Sequence, residues 1–433
     1  MSRAIAFDVL REVTGDGAYA NLALAHRLDR AQLSPRDAAF VTELVSGTCR
    51  LLGTYDRVIE LAGGRRLSSL QPAVVDVLRL GAHQLLSMRI PTHAAVSTTV
   101  ELAKRRIGRR VTGLVNAILR RVAAQPLDAW LDRAAEGADP VEALAIRGHH
   151  PTWIAEAYAQ VLPGEELEAA LAANNVAPVP TLVVRPGLAT VQELGGTPCR
   201  YSPFGAVRDG DPADVPAVHE GRAGVQDEGS QLVALALSRV QAPEGPWLDL
   251  CAGPGGKAAL LHGLARDAGQ WLLASEARPH RAHLVRLALR GYASVRVVVA
   301  DGTRPAWRPG SFARVMADVP CSGLGALRRR PEARWRRGLD SVEELAGLQR
   351  ELLGRALDAL RPGGVAAYVT CSPHPRETSD CVEEVLAGRD DVELLDAGRV
   401  LPEVPDAARG PYVQLWPHRH GTDAMFLALL RRR

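Results

Sequence analysis

The sequence predicts an α/β protein whose C-terminal half is a doubly wound parallel sheet, preceded by an all-helical head and a small α+β module. Three observations carry this prediction. From about residue 247 the chain repeats strand, turn and helix in units of similar length, the pattern of parallel βαβ connections. Over residues 1–125 apolar side chains recur at helical spacing. Between the two, residues 126–235 mix helical periods with the short strand "TLVVRP" and a Pro/Gly/Asp-rich stretch. The expected divisions are 1–125, 126–235 and 236–433.

In order, the head contains "RAIAFDVLREV", "PRDAAFVTELVSGTCRLL", "QPAVVDVLRLGAHQLL", "AAVSTTVELAKR" and "VTGLVNAILRRVA", with Gly63, Gly64, Pro91 and Gly108 marking the breaks. Its formal charge is +8, against −9 for residues 126–240 and +4 for the remainder of a chain with net charge +3. A basic end on a nearly neutral protein points to a polyanionic partner. The densest part is "KRRIGRR", where Lys104, Arg105, Arg106, Arg109 and Arg110 bracket a turn, followed closely by Arg120 and Arg121. This suits phosphate binding, although a solvated helix end has the same composition.

The chain has no apolar run long enough to cross a membrane, and its start has helical period rather than the basic head and apolar stretch of a signal peptide. The expectation is a cytoplasmic protein with no membrane contact. The six cysteines, Cys49, Cys199, Cys251, Cys321, Cys371 and Cys381, show neither C-x-x-C nor paired Cys/His spacing, which argues for thiols rather than a disulfide frame or a metal site. Cys49, Cys199 and Cys381 are expected to be structural, and His418 and His420 to be solvated or hydrogen-bonded rather than ligands. Lys104 and Lys257 are the two lysines of the chain.

The C-terminal repeats read "WLDLCAGPGGKAALLHGLA", "WLLASEARPHRAHLVRLALR", "VRVVVADGT", "FARVMADVPCS", the helix "SVEELAGLQRELLGRALDAL" and "GGVAAYVTCS". A doubly wound sheet binds ligands beyond the carboxyl ends of its strands. Asp249, Glu276, Asp301, Asp318 and Cys371 all fall at such ends. The turn "GPGGKA" is no Walker loop, because Cys251 stands five residues before Gly256 and Ala258 follows Lys257. Gly253, Gly255 and Ala258 do match the dinucleotide fingerprint, with Glu276 near the position of a ribose-binding acid. S-adenosylmethionine uses the same physics. Glycines admit the backbone to the ligand, an acid at the second strand takes the ribose hydroxyls, and Asp301 could accept from the adenine amine.

The remaining rim separates these ligands. A dehydrogenase has no use for two strand-end cysteines, whereas a pyrimidine methyltransferase does. Carbon 5 of cytosine is too weak a nucleophile to take a methyl group directly. Addition of a thiolate to carbon 6 moves electron density onto carbon 5, dividing one hard step into two. Cys371, ahead of the helix around "SDCVEEVLAG", is expected to gain a lowered pKa from that helix's positive end. Cys321 is placed to assist release after methylation, and Asp318 to hydrogen-bond the protonated N3.

"LDLCAGPGGKAALL", "ADVPCSGLGALRRRPEARWRR" and "YVTCSPHPRETSDCVEEVL" resemble motifs I, IV and VI of the RNA cytosine-C5 methyltransferases, and "VQDEGSQL" is similar to the segment preceding that core. The head, with "PTHAAVSTTVELAK" and "GLVNAILRR", resembles the NusB-like RNA-binding domain. Together they resemble the bacterial 16S ribosomal RNA methyltransferases of the Sun/RsmB type over essentially the whole chain. The resemblance implies a Rossmann-like core, Cys371 as nucleophile and Cys321 as the release cysteine. It implies S-adenosylmethionine contacts on Cys251, Ala252, Gly253, Pro254, Gly255, Gly256, Lys257, Glu276, Asp301 and Asp318, and ribosomal RNA as partner of a monomer that binds no DNA.

Three departures stand out: Gly253 where many relatives have alanine, expected to be harmless, and "TLVVRP" and "GTDAMF" in place of L-R-V-N and G-T-D-G-F-F. Beyond Cys321, Arg328, Arg329, Arg330, Arg334, Arg336 and Arg337 are expected to hold the RNA backbone, with Trp335 available for stacking. Two rival readings are a catalytically dead RNA-binding assembly protein and a DNA cytosine methyltransferase, which would attack with Cys321.

Overall fold

In the computed structural model, which describes all 433 residues, the helical periods of the head form Ser2–Gly15, Ala20–Ala31, Pro35–Arg50, Leu52–Gly63, Pro72–Leu86, Thr92–Arg106 and Thr112–Val122. Their apolar faces close on one core that includes Leu10, Leu44, Tyr55, Ile59, Leu78 and Leu119. Helix ends follow local chemistry. The Ser34 hydroxyl accepts from the Asp37 amide at 3.2 Å just before Pro35, and Gly64, at φ +63°, ends the fourth helix.

This helical unit extends beyond residue 125. It takes in Leu127–Ala134, Pro140–Arg147, Thr152–Ala159 and Gly164–Ala173, and it also recruits a twelve-residue segment from far along the chain, Leu327–Gly338. The stretch expected as an intermediate module is therefore shared. Residues 126–176 belong to the helical unit, and the rest joins a second unit made of Ala177–Ala326 and Leu339–Arg433.

The second unit opens with a small antiparallel sheet: β1 (Thr181–Val184), β2 (Thr197–Pro198), β3 (Gly205–Val207) and β4 (Ala223–Val225), in the order β2-β3-β1-β4. Asp227 then caps the helix Glu228–Arg239 through the Gly229 amide at 2.9 Å.

The main sheet contains β5 (Trp247–Asp249), β6 (Leu272–Glu276), β7 (Arg296–Val299), β8 (Phe312–Asp318), β9 (Leu360–Thr370), β10 (Val392–Leu395), β11 (Ala408–Arg409), β12 (Tyr412–Gln414) and β13 (Phe426–Arg432). The order is β11-β12-β13-β9-β8-β5-β6-β7, with β10 on β13. From β7 to β9 every pairing is parallel. The first strand, β5, is central, and the chain builds outward to β6 and β7 on one side and to β8 and β9 on the other. Such a reversal opens a crevice beyond the ends of β5 and β8. The helices Glu228–Arg239 and Gly256–Asp267 cover one face through Leu232, Leu237 and Leu260; Leu353 and Leu357 of Leu339–Ala359 cover the other.

Beyond β9 the sheet becomes antiparallel, with β13 on β9 and β12 on β13. The sequence reading expected only parallel strands. The two-residue link from β11 to β12 is too short for a crossover and makes that pair an antiparallel hairpin.

Candidate active site

The turn between β5 and the helix Gly256–Asp267 is held by backbone bonds to both neighbouring strands: Leu250 N to Met316 O at 2.9 Å and Ala252 N to Ser275 O at 2.8 Å. Gly255 has φ +114°, and a Cβ there would stand 2.6 Å from the Ala288 methyl, so helix packing demands glycine. A Cβ on Gly253 would fall 2.1 Å from Glu276 Oε2. The buried Glu276 carboxylate occupies that space, accepting from the amides of Gly253 at 3.1 Å and Arg278 at 3.0 Å. In this chain the space that an alanine methyl would take at Gly253 is filled by the end of the Glu276 side chain.

Asp301, exposed just past β7, binds the amide and hydroxyl of Thr303 at 2.9 and 2.8 Å, which hold its carboxyl below the usual range. Burial, and then the charge of Asp318, push Asp249 at the end of β5 up to about 8. The Lys257 charge and the Cys251 amide oppose this shift without cancelling it. Cys251 has a thiol pushed well up by burial, so it is no nucleophile. The glycine turn, with acids at the ends of β6 and β7, fits a nucleoside-type ligand: backbone lines the near side, and two carboxylates stand where hydroxyl and amine donors would reach them.

Cys321 and Cys371 follow the adjacent parallel strands β8 and β9, and their Sγ atoms lie 3.3 Å apart. Lys257, from the first turn after the glycines, donates to Asp318 Oδ2 at 2.9 Å. Burial opposes the Lys257 charge, but Asp318 more than restores it and the ammonium's pKa is raised. The hydrogen bond from Cys321 lowers the Cys371 pKa; burial and Asp318 oppose this, and Lys257 assists. The same hydrogen bond, with burial, lifts Cys321 well above an ordinary thiol. The contact and the surrounding charges favour ionisation of Cys371 over Cys321. The source differs from the expected helix end, since the helix Ser379–Leu386 begins only after the short turn Pro375–Glu377. Sequence reasoning did not single out Ser322, Ser372, Gln349 or Glu377, all fully or almost fully buried beside this pair.

The expected RNA contacts divide. Lys104 and Arg105 pair with Glu101 at 3.3 and 2.8 Å, and Arg106 pairs with Asp8 at 2.7 Å, whereas Arg109 and Arg110 are exposed on the turn after Gly108. Of the arginines after Cys321, Arg329 and Arg330 are exposed, with Arg330 5.4 Å over the Tyr19 ring, and Arg328 and Arg337 are half-buried.

Arg334 is corrected, and Arg336, though exposed, is engaged by backbone carbonyls. Arg334 is fully buried, donating to His149 O at 3.0 Å, Asn174 O at 3.1 Å and Asn175 Oδ1 at 2.7 Å. Arg336 donates to Val13 O at 2.7 Å, Gly17 O at 3.0 Å and Ala18 O. Trp335 donates to Arg50 O at 3.2 Å with its ring against Gly53, leaving it unavailable to a base. These hydrogen bonds fasten Leu327–Gly338 into the helical unit, where carbonyls at and beyond helix ends lack partners of their own. His420 accepts from Trp416 N at 2.8 Å, as a hydrogen-bonding side chain.

A parallel sheet reversing at β5, with a glycine turn and strand-end acids on its rim, defines a Rossmann-like transferase of the nucleoside-cofactor class. Comparison with known proteins carries this further. Residues 234–431 match the family model described as 16S rRNA methyltransferase RsmB/F, and residues 1–124 match the NusB family. A Mycobacterium tuberculosis protein, Rv1407, whose name specifies a methyltransferase and no substrate, is 48% identical over 100% of this chain and 96% of its own length. Ribosomal RNA small subunit methyltransferase B of Vibrio cholerae is 32% identical, covering 98% of this chain and 97% of its own. The crystal structure of PH0851 shares the fold at TM-score 0.80 and 22% identity, over 99% of this chain and 97% of that one. The chain belongs to the RsmB/F family of ribosomal RNA methyltransferases, with a NusB-type domain at its N-terminal end.

Proposed function

We propose that the protein methylates carbon 5 of a cytosine in 16S ribosomal RNA, in the cytoplasm, through a covalent adduct between Cys371 and carbon 6. The observation that carries this reading is the thiol pair: two sulfurs 3.3 Å apart at the ends of adjacent strands, one with a lowered pKa and the other raised. S-adenosylmethionine, held by residues 251–257 with Glu276 and Asp301, supplies the electrophilic methyl group. Cys371 adds as thiolate to carbon 6, and the carbon 5 so activated is the nucleophile. Asp318 holds Lys257 near the thiolate and faces the base, where it hydrogen-bonds the protonated N3. A proton acceptor, water or the Cys321 sulfur once it has given up its own proton, takes the carbon 5 proton; that bonding pair forms the C5–C6 double bond and the Cys371 sulfur leaves as thiolate. The exposed Arg109 and Arg110 hold RNA phosphates.

Methyl transfer from labelled cofactor to 16S RNA, read with two variants on a denaturing gel, tests this. Cys371→Ala should neither methylate nor form a covalent band. Cys321→Ala should accumulate a heat-resistant protein–RNA band, because addition proceeds while release fails, and RNA carrying 5-fluorocytosine should trap the wild type. A band with Cys371→Ala and none with Cys321→Ala would reverse the roles. Methylation of transfer RNA alone would move the substrate, and no methylation of any RNA would leave an RNA-binding assembly protein.

A further inference from the structure

Each of the two cysteines is followed by a serine, and the serines meet. Ser372 Oγ and Ser322 Oγ lie 3.1 Å apart, and Ser322 Oγ also contacts a carboxylate oxygen of Glu377. A hydroxyl has one proton, and a carboxylate can only accept. The direction is therefore fixed: the His374 amide donates to Ser372 Oγ at 3.2 Å, Ser372 donates to Ser322, and Ser322 donates to Glu377. The other Glu377 oxygen accepts from the Ser322 amide at 2.6 Å and from Gln349 Nε2 at 3.1 Å. Gln349 also donates to Pro320 O at 2.9 Å, and the Tyr368 hydroxyl donates to the Glu377 carbonyl at 2.9 Å. A carboxylate with no exposure is thus the terminal acceptor of a chain joining the loop after β8 to the loop after β9.

We propose that Glu377 is a positioning residue that sets the separation of the two thiols and decides which of them serves as nucleophile. The proposal rests on the function given above. Its geometric part follows from the chain: Ser322 and Ser372 are bonded neighbours of Cys321 and Cys371, and drawing the serines together fixes the sulfurs at 3.3 Å. Its electrostatic part follows from which charges face which sulfur. Lys257, Asp318 and Asp423 act on Cys371, whereas the charges acting on Cys321 include those of Glu377 and Asp318. The Glu377 charge therefore weighs against a thiolate at Cys321 and leaves Cys371 as the sulfur that ionises.

The test is carried out on the full-length protein with neither RNA nor cofactor present. Wild type and Glu377→Gln are treated briefly with iodoacetamide at pH 7.5, and the label on Cys371 and on Cys321 is measured by peptide mass spectrometry. The wild type should label first at Cys371. In Glu377→Gln the Cys371:Cys321 ratio should fall on the order of ten-fold, what about one pKa unit of relative thiol acidity produces. An unchanged ratio in a Glu377→Gln protein that melts like wild type would overturn the proposal.

Should Glu377→Gln not fold, Ser322→Ala keeps the charge and the amide bond to Glu377 and removes the hydroxyl that ties Ser372 to it. A lower ratio there supports the proposal, and an unchanged ratio overturns it. In methyl transfer, Glu377→Gln should lower kcat and leave the KM for RNA unchanged. If the wild type methylates no cytosine, the catalytic reading falls, while the labelling ratio still decides the role of Glu377.

Discussion

Acid should loosen the helical unit, and the amount can be worked out from one side chain. Burial, with the Arg334 charge second, pushes His149 down to about 4, and the same two causes, in the same order, push the adjacent His150 well below its usual value. His149 Nδ1 lies 3.1 Å from Thr54 Oγ1, and its carbonyl accepts from Arg334. Its folded pKa lies below the unfolded value of about 6.5, so the unfolded chain binds more protons between them. The stability contribution is whole above pH 6.5 and is lost as pH falls toward 4. For His149 alone the loss between pH 7.5 and pH 5 is about 2 kcal/mol, and His150 adds in the same direction.

His149→Asn removes this titration and keeps a residue suited to the positive φ of 61° at that position. Hydrogen exchange of the buried helix Thr152–Ala159, measured on the full-length protein at both pH values, reads the opening free energy. Wild type should lose about thirty-fold more protection on acidification than His149→Asn, the equivalent of about 2 kcal/mol. An identical response in both proteins would refute the reasoning.

Lys257→Met removes the cation that helps hold Cys371 ionised, so the acid limb of the methylation pH profile should move up by about one unit, and an unmoved limb would take Lys257 out of thiol activation. Replacing Arg109 and Arg110 with alanine should flatten the log–log dependence of RNA affinity on salt by about 1.4, at about 0.7 per phosphate of a single strand, while Arg334→Ala should lower stability and leave the slope as it was. Glu276→Gln should weaken S-adenosylmethionine binding about ten-fold by calorimetry, since an amide is a poorer acceptor for two hydroxyls than a carboxylate; an unchanged Kd would remove the ribose contact.

The parallel strands β5 to β9 and the thiols on their rim were legible because both are local patterns, whereas β10 to β13 were not read. An apolar run ending in turn residues marks a strand end, and a cysteine at that point is visible without knowing its neighbours. The partners of Leu327–Gly338 were not legible. A segment with six arginines reads as phosphate-binding, and its actual acceptors, such as Arg50 O and Asn174 O, lie 160 or more residues away. Glu377 was missed for a related reason. In "SPHPRETSD" it looks like one more surface acid, and only the serines after Cys321 and Cys371 hinted at a shared acceptor. The contact between Gly253 and Glu276 was not legible, because that side chain is supplied by another strand.

The placement of Leu327–Gly338 within the helical unit also bears on the order of synthesis. A ribosome releases residues 1–176 long before it reaches the segment that supplies Arg334, Trp335 and Arg336. At about 5–20 residues per second, the intervening stretch of about 160 residues takes roughly ten to thirty seconds to make. Throughout that interval the nascent helical unit carries an unfilled seat over Gly53 and uncovered carbonyls at Val13, Gly17 and Asn174. The N-terminal unit is the first to be made and cannot be the first to be finished. A stop anywhere before residue 338 therefore yields an incomplete head rather than an independent one.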